Sequence, residues 1–84
     1  MSEPEIIEYL MCELIPQIGD SISLNSLKSE VKNSGRLSDE DLKNSITRPG
    51  EKMYEQKCRN LWCHRSFPKE KISYKNQVFT RIAN

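Results

Sequence analysis

Residues 51–82 read EKMYEQKCRNLWCHRSFPKEKISYKNQVFTRI, and the fold turns on how this stretch divides. Its first half repeats apolar residues at helical spacing, with Tyr54, Cys58 and Leu61 in one narrow sector and Trp62 on its edge. That periodicity predicts a helix from Glu51 to Ser66, stopped by Pro68. The second half changes period. Lys71–Tyr74 and Val78–Ile82 are strand-like runs, and Lys75-Asn76-Gln77 between them predicts a hairpin turn. Tyr54, Cys58, Leu61 and Trp62 are expected to bury against Ile7, Leu10, Leu14, Leu27 and Val31, and against Val78 and Ile82 of the hairpin.

Ahead of this stretch, Lys43 to Gly50 reads as a loop with Arg48-Pro49-Gly50 as its turn, and Leu37–Leu42 as a single turn in which Ser38 accepts backbone N–H groups. A second helix, capped by Asn25 or Ser26, runs to about Ser34, buries Leu27 and Val31, and stops at Gly35. Asp20–Leu24 alternates as a short strand. The first helix spans residues 3–15, opened by the Ser2-x-x-Glu5 capping box with Pro4 in its first turn, and closed by Pro16 and Gly19. The order helix, strand, helix, turn, helix, hairpin predicts one α+β domain over residues 1–84, a winged helix-turn-helix with the hairpin as wing. A generic α+β domain uses the same elements, and winged helices also serve as protein-interaction modules.

At 84 residues, 36% hydrophobic and 30% charged, the chain is globular with little interior to share. No run of about 18 apolar residues offers a membrane span. The acidic start at Glu3 and Glu5 is unlike a secretory signal, and three cysteines do not suit a disulfide framework, so a cytoplasmic protein is expected. The formal net charge of +1 conceals a divided chain: residues 1–41 hold three Lys/Arg against nine Asp/Glu, residues 42–84 ten against three. The basic half suits a polyanion, and the alternative is a merely dipolar domain.

Projected at about 100° per residue, the third helix places Lys52, Gln56, Arg59 and Cys63 opposite its core stripe, flanked by Asn60 and Ser66. Arg can bind guanine bidentately, Gln or Asn can bind adenine, and Lys neutralises phosphate. Such residues are also ordinary solvated-helix residues; their company decides, with Arg48 and Lys52 at the helix entrance and Lys69, Lys71 and Lys75 in or near the wing. Cys58-x4-Cys63-His64 does not make a zinc site, because structural zinc takes two close ligand pairs and only Cys12 remains. Cys58 falls in the core stripe, His64 on its boundary, and Trp62 is expected as a core anchor under the wing. No catalytic arrangement or glycine-rich phosphate loop can be read, so neither enzymatic activity nor a cofactor is expected. Glu3, Glu5, Glu8 and Glu13 lie on a surface helix as hydrated carboxylates.

Leu37-Ser38-Asp39-Glu40-Asp41-Leu42, Arg48-Pro49-Gly50-Glu51, the run from Tyr54 to Leu61 and His64-Arg65 together resemble winged-helix modules attached to bacterial restriction endonucleases, including modification-dependent ones. The resemblance covers residues 37–66 closely and the whole chain in element order. It implies that Gln56, Arg59 and Asn60 read DNA; the third helix is expected in the major groove of a duplex, and the wing along phosphates or the minor groove. It further implies a targeting or sensing domain of a larger restriction-type nuclease, or a stand-alone relative; a nuclease domain or a second copy would be a partner. Trp62-Cys63 and the short wing depart from the pattern. The expectation is a DNA-binding module contacting duplex through Arg48, Lys52, Gln56, Arg59, Asn60, Cys63, Lys71 and Lys75. Its rivals are a module docking on an acidic protein, and a metal- or redox-responsive regulator using Cys58 and Cys63.

Overall fold

The computed structural model describes residues 1–63 and 67–84. Helix α1 (Glu3–Tyr9) opens on the capping box: Ser2 Oγ accepts from the Glu5 N–H at 3.2 Å and Glu5 Oε1 accepts from the Ser2 N–H at 3.1 Å. The Ser2 backbone N–H, and after it the Ser2 hydroxyl, hold the Glu5 carboxyl below its ordinary pKa. The helix then widens into a π-helical turn over Leu10–Leu14, closed by the Ile15 N–H donating to the Leu10 carbonyl at 2.8 Å. The extra residue rotates everything beyond it. Ile15 is fully buried and Leu14, expected in the core, only partly covered; Leu10 is fully buried, and ahead of the turn Ile6 is fully buried while Ile7, also expected in the core, is partly covered.

Strand β1 (Ser21–Ser23) leads directly into α2 (Leu24–Asn33). The cap of α2 is Ser23, whose Oγ accepts from the Ser26 N–H at 3.1 Å, rather than Asn25 or Ser26. Leu24, Leu27 and Val31 form the buried face of α2, and Gly35 takes a positive φ of 75° just past its end. Helix α3 (Met53–Cys63) starts two residues later than Glu51; its expected end at Ser66, and His64 and Arg65 before it, lie outside the described residues. Tyr54, Cys58 and Leu61 are its buried stripe, as the periodicity predicts. Each fully buried side chain of this size contributes roughly 1.5–3 kcal/mol before entropy is counted.

Strands β2 (Ile72–Lys75) and β3 (Val78–Arg81) form a hairpin whose two turn residues, Asn76 and Gln77, have φ of 53° and 60°. Paired positive φ values belong to a turn whose twist matches that of the strands. The antiparallel sheet has the order β1-β3-β2, with Ile22 opposite Phe79 and Phe79 opposite Tyr74. Among the described residues the fold is thus a small α+β arrangement of three helices and a three-stranded antiparallel sheet. Within β3 the expected parity is reversed. Phe79 is fully buried and Arg81 turns inward with it, whereas Val78 is half-buried and Ile82 is exposed. Phe79 fills more of the core than Val78 could, and packs edge-on against Phe67 at 5.9 Å. Arg81 Nη1 donates to the carbonyls of Met11 at 2.8 Å and Ile15 at 3.2 Å, serving the C-terminal end of the first helical segment.

Trp62, expected as a buried anchor, is 44% exposed, yet it does lie against the hairpin, with Tyr74 at 5.2 Å and Phe67 at 6.0 Å between ring centres. The most buried charge is Asp41. Its carboxylate takes the Met1 ammonium, Lys57 Nζ at 2.7 Å and the Ser38 N–H at 3.0 Å. Burial by itself would raise the Asp41 pKa, but bonds from Lys57, the Met1 ammonium and Ser38 outweigh it and hold the carboxyl well below the usual carboxylate range. The segment around Asp41 is a turn in which Ser38 Oγ accepts from the Asp41 N–H at 3.3 Å.

Candidate nucleic-acid interface

The loop between α2 and α3 shapes the outer face of α3. Arg48-Pro49-Gly50-Glu51 is a β-turn closed by the Glu51 N–H donating to the Arg48 carbonyl at 2.8 Å. A bridge between Asn44 and Lys52, with the Ser45 N–H donating to the Glu51 carbonyl at 2.7 Å, folds the loop back on the helix start. Ser45 is buried by this closure, and its hydroxyl bonds Gln56 Oε1 and Thr47 Oγ1 and accepts from the Arg48 N–H. Beside it lies a surface pocket of about 300 Å³, lined by Ser45, Ile46, Thr47, Met53 and Gln56. Ile46 stands 95% exposed at its rim.

Of the residues expected to meet DNA, Gln56, Arg59 and Cys63 lie along α3, with Lys52 just before its start, but they are not equally available. Lys52 and Cys63 are exposed, Asn60 is half-buried, and Gln56 is half-buried with its amide oxygen taken by Ser45. Arg59, expected as a free fork, is held by Glu51: Nε reaches Oε2 at 3.3 Å and Nη2 reaches Oε1 at 3.2 Å. That carboxylate raises the Arg59 pKa, and Cys63 beside it acts in the same sense. Arg48 is exposed in the β-turn, Lys71 is half-buried just before β2, and Lys75 is exposed at the wing tip.

Sequence spacing could not reveal Glu51 or Ser45 as partners of this face. Glu51 is eight positions before Arg59, which is not a helical neighbour distance, and the contact exists only because the turn at Pro49-Gly50 doubles back. The same folding redistributes the charge of the basic half. Lys43 pairs with Glu40, Lys57 with Asp41 and Arg59 with Glu51, and Arg81 is spent on backbone carbonyls. Arg48, Lys52, Lys69, Lys71 and Lys75 make no ion pair with any described residue.

Cys58 is buried among apolar side chains, and desolvation pushes its thiol up to about 12, which disfavours the thiolate in the folded chain. Among the described residues no group of three or more His, Cys, Asp or Glu converges on a metal position, and no helix is long and apolar enough to cross a membrane. Comparison with family profiles, curated proteins and solved structures found no match for this chain.

Proposed function

We propose that this chain is a winged-helix module that binds duplex DNA, with α3 in the major groove and the β2–β3 hairpin as a wing on the backbone. The observation that carries the reading is a group of cations about α3 and the hairpin: Arg48, Lys52, Lys69, Lys71 and Lys75 make no ion pair with any described residue, as is also true of Lys28 and Lys32 on α2, although the chain holds nearly as many acids as bases. They flank α3 at its start and run through the hairpin, where phosphate contacts would fix the register of a helix in the groove. The sheet order β1-β3-β2 and the strand between α1 and α2 support the winged-helix assignment. The resemblance to modules of restriction endonucleases adds a role: the chain would target a nuclease whose catalytic groups lie elsewhere.

A titration against random-sequence duplex at several salt concentrations tests this. Each neutralised phosphate contributes about 0.9 to the slope of log affinity against log salt, so four contacts give a slope of about −3.6. Lys75→Ala should weaken all duplexes alike and reduce the slope by about 1. A flat response with no measurable binding at low salt overturns the proposal. One observation favours the rival module that docks on a protein: the exposed Ile46 beside its apolar pocket, with Arg48 close by in the chain. That reading takes over if duplex binding is absent and Ile46→Ser abolishes capture of an acidic partner.

A further inference from the structure

We infer that Glu51 aims Arg59 at guanine, leaving the end-on fork of the guanidinium as the base-reading edge of α3. This rests on the DNA-binding reading above and adds which base is read and what orients the reader. Guanidinium is planar, with five N–H groups arranged along its edges. Glu51 takes the side edge through Nε and Nη2, at 3.3 and 3.2 Å, in a bidentate contact. What remains is the end edge, one N–H from Nη1 beside the second N–H of Nη2. Two parallel donors match guanine O6 and N7, and no other base presents two adjacent acceptors on its major-groove edge.

The carboxylate is itself held in place. The Glu51 backbone donates to Arg48 and accepts from Ser45, so the loop brings it to Arg59 from a closed turn. Both side chains are largely covered, at 25% exposure for Arg59 and 14% for Glu51, which limits the rotamers open to either. Among the described residues Nη1 bonds no oxygen, the Cys63 thiol lies beside the guanidinium, and no described buried side-chain nitrogen or oxygen lacks a partner, so this edge is not sealed inside the protein. The competing account is that the pair merely staples the loop to the helix. The two accounts differ in what the loss of Glu51 does to base preference.

The test begins with selection of preferred sites from randomised duplex, followed by affinities for the best site, for that site with 7-deazaguanine at the preferred guanine, and for an unrelated duplex. The parent should favour its guanine by roughly 5- to 150-fold, the range of one bidentate base contact, and lose most of that on 7-deazaguanine. Glu51→Gln, which frees Arg59 to swing towards phosphates, should lower the guanine preference while tightening binding to the unrelated duplex. Arg59→Lys keeps the charge and lacks the fork, so it should lose the preference and ignore 7-deazaguanine; it carries the test if Glu51→Gln does not fold. Full guanine preference in Glu51→Gln overturns the role of Glu51, and full preference in Arg59→Lys overturns the role of Arg59. A parent that binds no duplex overturns the functional reading as well.

Discussion

Asp41→Asn is a substitution this structure absorbs poorly. One fully buried carboxylate faces two ammonium groups, and the change leaves the Met1 amine and Lys57 without a counter-charge. Removing one partner of a buried ion pair costs about 3–5 kcal/mol. Lys57 retains 29% exposure, so water can partly recover it and the lower end, about 3 kcal/mol, applies. Stability in a domain of this size is about 4–13 kcal/mol in total, at roughly 0.05–0.15 kcal/mol per residue. A loss of about 3 kcal/mol should therefore lower the melting temperature by about 12–24 °C. The carboxyl titrates lower in the folded chain than in the unfolded one, where it sits near about 3.9. In acid the unfolded chain thus binds a proton that the folded chain refuses. The contribution of Asp41 is present above about pH 4 and drains away as pH falls towards its depressed folded value. Urea unfolding followed by far-UV circular dichroism at pH 7, 5 and 3 should show a wide gap between parent and variant that narrows with acid. A variant as stable as the parent at pH 7, or a gap that does not narrow, would refute the reasoning.

Two further outcomes follow from burial. At pH 8 the folded protein should yield two thiols promptly to an aromatic disulfide reagent, from exposed Cys12 and Cys63, and a third only after denaturant is added; a prompt third thiol would take Cys58 out of the core. The sheet parity predicts that Phe79→Ala costs about 3–5 kcal/mol, whereas Val78→Ala, one position away, costs under about 1.5 kcal/mol; equal losses in urea unfolding would mean the parity is wrong.

The helices and hairpin were legible because their signals are local. Tyr54, Cys58 and Leu61 repeat at the period of a helix, and Ser2 and Glu5 cap within their own turn. Parity was the weak point. In Val78–Ile82 either alternation places apolar residues inward, and choosing Val78 and Ile82 put Arg81 in solvent. What reverses it is non-local, since Arg81 is wanted by carbonyls at Met11 and Ile15. In the first helix, nothing in Leu10–Leu14 marks the wide turn that moves Ile15 into the core. Asp41 looked like one more acidic turn residue, and its burial arises only when Met1 and Lys57 arrive from other elements. The outer face of α3 was legible as composition, not as availability: Glu51 and Ser45 reach it through the folded loop, a route that no spacing rule describes.

The strand that comes last in the sequence lies in the middle of the sheet, and this sets a timetable for the growing chain. β1 and β2 pair only with β3, never with each other. A nascent chain emerging from the ribosome can wind its helices in about a microsecond. Its β1 strand, however, has nothing to pair with until residues 78–81 emerge. Until then Ile22, Phe67 and Ile72 have no Phe79 to close over them. The closing contact, Arg81 to Met11, joins residues 70 positions apart, so its loop-closure entropy falls due only once β3 is available. Loss of residues 78–81 from the sheet would leave the helices formed and two strands unpaired, the state in which chaperones and proteases have the readiest access to the chain.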